Sequence, residues 1–142
     1  MEISAQFKNS TVNNCELIAL PKFATSAGHI TAINNGIEIP FNTKRVYYLY
    51  DIPSGETRGG HAHYNLQQLI VAAMGSFDVV LHDGQNRRRI TLNQPNQGLL
   101  VVPGIWRELE NFSAGSILLV LASEKYDEKD YIRDNNQFNN QK

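Results

Sequence analysis

The feature that most constrains this chain is a series of short apolar runs that alternate with polar residues and never lengthen into a helix-sized stretch. They lie at 16–20, 45–50, 69–73, 76–81, 89–92, 99–102 and 116–122, and are rich in Val, Ile, Leu and Tyr. A period of two suits strands with one face on a core, and turn residues separate the runs. Asp83-Gly84 falls between two of them and predicts a tight hairpin, because both residues tolerate positive φ. Gly75, Gly98 and Gly115 mark other strand starts. Nothing before Ser123 has a helical period, so an antiparallel sandwich or barrel is expected. The stretch 124–134 is expected to hold a helical turn or short helix. The tail 135–142 is nearly all Asn, Gln and Lys, with Phe138 its one apolar residue, which predicts a frayed end or linker after a domain at 1–134. A cut from a longer protein at this point would fit that composition.

A chain of 142 residues is enough for one domain and one continuous core. The net charge of −1 gives no field to attract nucleic acid or an anionic membrane, so a phosphate-bearing ligand has to meet local cations. Cys15 stands alone, which excludes an intramolecular disulfide and a cysteine-based zinc cluster; it is expected to serve as a small apolar residue. No apolar run reaches the ~18 residues of a membrane span, and Met1-Glu2-Ile3-Ser4-Ala5 lacks the layout of a secretion signal. The expected compartment is the cytoplasm.

Chemistry concentrates in the stretch from Gly55 to Gly75. On a strand, His61 and His63 share a face, and in a small barrel that face can be the interior. The intervals from Gly55 to His61, His63, position 68 and Gly75 match the first cupin motif, and Gly98, Pro103, position 107 and Asn111 partly match the second. A metal-binding cupin takes two histidines, a glutamate and a third histidine as ligands. Here Gln68 stands for the glutamate and Arg107 for the last histidine. A guanidinium has no lone pair to give a metal and its charge repels a divalent ion. The site is therefore expected to hold no metal and no cofactor. What remains is two imidazoles, which titrate near neutral pH, together with an amide and a cation able to face an enolate or a phosphate. Tyr47 shares a strand face with Arg45 and Leu49, and either donates a proton to a developing oxyanion or packs in the wall.

Four segments carry a closer resemblance. They are Lys44-Arg45-Val46-Tyr47-Tyr48, Arg58-Gly59-Gly60-His61-Ala62-His63, Trp106-Arg107-Glu108-Leu109, and the run from Leu119 through Tyr126-Asp127-Glu128-Lys129-Asp130-Tyr131-Ile132-Arg133. Together they resemble the sugar 3,4-ketoisomerases that act on dTDP-4-keto-6-deoxyglucose. The resemblance implies an all-β cupin jelly-roll barrel with a short C-terminal helical segment, and a homodimer that exchanges N-terminal strands. It implies that a base removes the C3 proton, that an enediol forms, and that C4 is reprotonated. The products of such enzymes lead to dTDP-3-amino-3,6-dideoxyhexoses.

The same resemblance assigns His61 as the base, with His63, Tyr47 and Arg107 beside it. Arg58 is a candidate diphosphate contact, Gln68 a substrate contact, and Trp106 either a wall of the ligand site or a core residue. Family members carry His or Arg after the tryptophan and usually Tyr or Arg near the N-terminal strands, and these choices are linked to product stereochemistry. Arg107 points to the gluco product, but the second position aligns with Ala27, which has no polar group, so the epimer stays open. His29 is a minor candidate to replace that group in part, and His82 is expected to be exposed at the hairpin. Two other readings compete: a nucleotide-sugar 3,5-epimerase, and a cupin that binds a sugar nucleotide without turnover. A metal-dependent dioxygenase is disfavoured by Gln68 and Arg107.

Overall fold

The computed structural model describes residues 2–142. In chain order the elements are α1 (Ala5–Asn9), β1 (Glu16–Ala19), β2 (Phe23–Thr25), β3 (Gly28–Ile30), β4 (Arg45–Leu49), β5 (Arg58–His63), β6 (Gln68–Met74) and β7 (Phe77–His82). There follow β8 (Arg87–Leu92), β9 (Gln97–Val101), β10 (Trp106–Glu110), β11 (Ile117–Ala122), β12 (Tyr131–Ile132) and α2 (Asn135–Gln141). Two five-stranded sheets, β1-β9-β6-β11-β4 and β12-β5-β10-β7-β8, form a jelly-roll-like sandwich, and β2-β3 is a separate hairpin. Every ladder is antiparallel. All seven apolar runs of the sequence lie on strands.

Strand periodicity sorts the apolar residues into three layers. In β6, Ile70 and Ala72 enter the core between the sheets, while Leu69 and Val71 join an outer cluster with Leu20, Ile39 and Phe41. In β11, Leu118 and Val120 point inward and Leu121 outward. Beneath the second sheet a third cluster gathers Phe7, Ala62, Tyr64, Trp106, Ile132 and Phe138. The central layer also takes Cys15, in keeping with its apolar reading.

The structure bears on four expectations about local elements and corrects three of them. The first is the lack of helix before Ser123: α1 forms there, capped by the Ser4 hydroxyl, which accepts from the Phe7 N–H at 3.1 Å. The second concerns 124–134 and is the one that holds: the expected helical turn is the 3-10 turn Glu128–Asp130, followed by β12. The third is the tail. The Asp134 side chain caps α2 by accepting from the Asn136 and Gln137 N–H groups, and Phe138 is fully buried. Lys142 Nζ donates to the Phe7 and Ser10 carbonyls at 2.6 and 2.8 Å, tying the end of α2 to the end of α1. The expected frayed end or linker is thus a docked helix. The fourth is His82, which is half-buried at the end of β7, its ring 6.4 Å from that of Phe138. The hairpin itself is as expected, with the Asp83 carboxylate accepting from Gln85 and Asn86 N–H.

Candidate active site

The site begins with a bulge. β10 runs antiparallel to β5, but Arg107 faces His61 while Glu108 faces Gly59, so Gly60 is an extra residue. Gly59 and Gly60 both have positive φ, 92° and 59°. A Cβ on Gly59 would lie 3.1 Å from the Arg107 carbonyl oxygen. A bulge re-aims the residues that follow it. Beyond this one, His61 and His63 take the inner face and Ala62 the outer.

The two imidazole rings meet edge to face with centroids 4.8 Å apart. Their tautomers follow from their neighbours. His61 Nδ1 lies 3.0 Å from the Gly59 carbonyl oxygen, which can only accept, so Nδ1 carries the proton. His63 Nδ1 lies 3.2 Å from the Asp130 carboxylate, with the same result. Both Nε2 atoms are buried and have no hydrogen-bond partner. Two bare lone pairs on one inner face form a proton-accepting surface awaiting a ligand.

Burial is the main reason that both rings stay neutral. It holds His61 down to about 3, with Arg107 and His63 adding to the effect. It holds His63 down to about 4, where the hydrogen bond donated to Asp130 opposes it and the charge of Arg107 supports it. Arg107 is itself 1% exposed, and burial lowers it to about 10, so it remains a cation at neutral pH. Its Nε and Nη2 donate to the Ile105 carbonyl at 3.3 and 3.0 Å, and its Nη1 donates to the Gln68 side-chain oxygen. Gln68 Nε2 in turn donates to the Tyr47 hydroxyl oxygen at 3.4 Å. Burial raises the Tyr47 pKa, so the phenol keeps a proton to donate.

This polar chain bears on whether the pocket fits the metal of other cupins. Gln68 and Arg107 occupy two of the ligand positions and bond to each other. Among the described residues no three His, Cys, Asp or Glu converge. The donor set does not suit a divalent ion.

Of the sequence candidates, the structure brings together His61, His63, Tyr47, Gln68 and Arg107. It sets two apart. Trp106 precedes Arg107 and therefore points to the other face of β10, where its ring lies 5.8 Å from Phe138. This corrects its reading as a wall of the ligand site in favour of core packing. Arg58 is exposed at the start of β5 and forms no ion pair among the described residues. Ala27 and His29 lie on the exposed β2-β3 hairpin, outside this group.

The structure adds residues that had no assigned role. β12 pairs with β5 so that Tyr131 faces His63, and the Tyr131 ring is 4.3 Å from His63 and 5.1 Å from His61. Arg133 stacks over Tyr131 at 4.3 Å and pairs with Glu128 at 2.6 Å. Arg45 lies 4.6 Å over the Tyr47 ring and 5.2 Å over that of Tyr126. The Tyr126-to-Arg133 run was the signal in sequence, but only the β12–β5 register shows that it lays Tyr131 against both histidines.

Comparison with known proteins agrees with this geometry. Residues 13–142 match the family model "FdtA: WxcM-like, C-terminal". A TDP-4-oxo-6-deoxy-alpha-D-glucose-3,4-oxoisomerase from Aneurinibacillus thermoaerophilus is 44% identical over 123 residues, 87% of this chain and 88% of that one. The 3,4-ketoisomerase QdtA of Thermoanaerobacterium thermosaccharolyticum, solved with TDP, superposes with a TM-score of 0.90 at 40% identity, covering 92% of this chain and 96% of its own. WlaRB, a TDP-quinovose 3,4-ketoisomerase of Campylobacter jejuni, gives a TM-score of 0.87 at 43% identity, with coverage of 91% and 99%.

Proposed function

This chain belongs to the FdtA family, and from that membership and its pocket we propose that it is an isomerase that moves the ketone of TDP-4-keto-6-deoxyglucose from C4 to C3. The observation that carries the reading is the pair of buried, unpartnered Nε2 atoms on His61 and His63 beside a buried guanidinium. A neutral imidazole is the form that takes a proton, and the negative charge that develops on the sugar then favours the imidazolium.

The proton balance of the reaction requires the following roles, which the family resemblance gives to particular residues. His61 Nε2 takes the C3 proton, the C–H electron pair forms a C3=C4 double bond, and the former carbonyl pair becomes an oxyanion on O4. Arg107 and the Tyr47 hydroxyl face that charge. The O3 proton must also pass to O4, and Tyr47, whose oxygen accepts from Gln68, has both a proton to give and a lone pair to take one. His61 then returns its proton at C4 as the C3 ketone forms. No oxidant is needed, because one carbon is oxidised as its neighbour is reduced. Arg58 is assigned to the diphosphate.

The family resemblance supports a homodimer with exchanged N-terminal strands. The β2-β3 hairpin bonds only to itself within the sheets and leaves Phe23 and Ile30 exposed at 60% and 63%. Exchange would carry Ala27 and His29 to a partner copy. The cytoplasm is the compartment this reading assigns. The structural likeness to a 3,5-epimerase from Bacillus anthracis, at 19% identity, is one of fold.

The test is turnover of TDP-4-keto-6-deoxyglucose in the presence of a 3-aminotransferase, with the aminated sugar read by NMR. A 3-amino sugar is expected. Solvent exchange at C5 in its place would make the protein an epimerase, and binding without turnover would make it a carrier.

A further inference from the structure

His61 and His63 look alike in sequence but are held by different partners. A neutral backbone carbonyl fixes His61, whereas a carboxylate fixes His63. That carboxylate, on Asp130, is itself firmly placed. Its Oδ1 accepts from the Asn65 N–H at 2.8 Å and its Oδ2 from the Leu66 N–H at 3.1 Å. Its main chain accepts from the Tyr64 N–H and donates to the Asp127 carbonyl. Asp130 closes the 3-10 turn immediately before Tyr131, so the segment that lays Tyr131 against the two histidines also carries the anchor for His63.

The groups around the His63 ring are His61 on its own strand, Arg107 on β10, and Tyr131 with Arg133 on and beside β12. None of them donates a hydrogen bond to Nε2, which has no partner among the described residues. With Nδ1–H held by a carboxylate, the neutral ring presents only a lone pair to the pocket. A lone pair can receive a hydroxyl proton but cannot bond a ketone oxygen. At the reacting end of the hexose, substrate and product differ in which of C3 and C4 bears the hydroxyl, so a fixed acceptor discriminates between carbonyl and hydroxyl positions.

We propose that Asp130 is a positioning residue that locks His63 as a pure hydrogen-bond acceptor, so that His63 orients the hexose by accepting from one of its hydroxyl groups. The role rests on the isomerase reading and deepens it. Free TDP has no hexose and so never meets His63. Loss of the lock therefore affects the sugar nucleotide and spares TDP.

The experiment compares wild type with Asp130→Asn by three measurements: TDP affinity, steady-state kinetics on TDP-4-keto-6-deoxyglucose, and the ¹⁵N NMR of histidine-labelled protein. An amide can turn its NH₂ group toward Nδ1 and so favours the Nε2–H tautomer. The expected result is unchanged TDP affinity, kcat/KM reduced by at least ~10-fold, the scale on which partners behind a functional histidine act, and a His63 signal shifted from Nδ1–H toward Nε2–H. Wild-type kinetics, or an unchanged His63 tautomer, overturns the proposal. If the Asn variant does not fold, Asp130→Glu displaces the charge by one methylene. The same kinetic loss with TDP affinity retained then supports the role, and wild-type kinetics overturns it. If wild type itself does not convert the substrate, the isomerase reading has failed, and the NMR arm still decides whether Asp130 sets the tautomer.

Discussion

The two faces of β5 and β10 have opposite chemistry within the same short stretch of chain. On the outer face Ala62 and Trp106 meet Phe7, Ile132 and Phe138 in a dry apolar cluster. On the inner face His63 and Arg107 lie buried beside a half-buried His61, with bare nitrogen lone pairs and a cation. Outside, apolar burial stabilises the fold. Inside, desolvated polar groups cost stability, and they persist because a ligand will complete them. Residues one apart in sequence therefore belong to different accounts, one of stability and one of chemistry, and each predicts its own response to substitution.

The largest stability effect should come from the outer face. Phe138→Ala removes the apolar anchor of α2 and should cost ~3–5 kcal/mol of unfolding free energy, the usual range for a buried phenylalanine. Chemical denaturation measures this, and the folded fraction should keep its turnover. If stability holds and turnover collapses, α2 belongs to the site.

Arg58→Ala should act on binding alone. It should weaken TDP affinity by ~1.5–3 kcal/mol, the scale of a charged hydrogen bond, with the melting temperature unmoved. Unchanged affinity by calorimetry would assign Arg58 to the fold.

The inner face also gives a pH signature of stability. Both histidines are lowered from 6.5 in the folded state, to about 3 and about 4. The unfolded chain thus binds more protons as pH falls below 6.5, so stability is full above that value and declines toward 4. Each histidine contributes up to about 1.4 kcal/mol per pH unit. Denaturation at stepped pH should show this slope, and His61→Asn should make it shallower. A slope that does not change on that substitution would mean that His61 titrates in the fold as it does in the unfolded chain. The smallest effect is expected from a chelator, because Gln68 and Arg107 bond to each other where a cupin metal would need ligands. Activity lost to EDTA and restored by one metal would contradict that.

The sequence was most legible where period two is strict. The alternation in β6 and β11 located the core, and the His-x-His spacing put His61 and His63 on one face. It was least legible where a role depends on a distant partner. Asp130 and His63 are 67 residues apart and meet only through the β12–β5 register. α2 was hidden because Phe138 has no apolar neighbour at helical spacing, although Asp134 supplied a cap signal. Trp106 shows the opposite case: the resemblance left it as ligand wall or core residue, and simple alternation with the inward Arg107 decides for the core.

The central claim is that His61 carries the proton from C3 to C4. The most direct measurement is turnover of TDP-4-keto-6-deoxyglucose in deuterated solvent by wild type and His61→Asn, followed by NMR at C3. Wild type should exchange C3 with solvent. The variant should fold and bind TDP normally, lose at least ~10²-fold in turnover, the lower range for a general base, and incorporate no deuterium at C3. Near-normal turnover in His61→Asn with a dead His63→Asn would reverse the roles of the two histidines, and activity in both would contradict this account of the site.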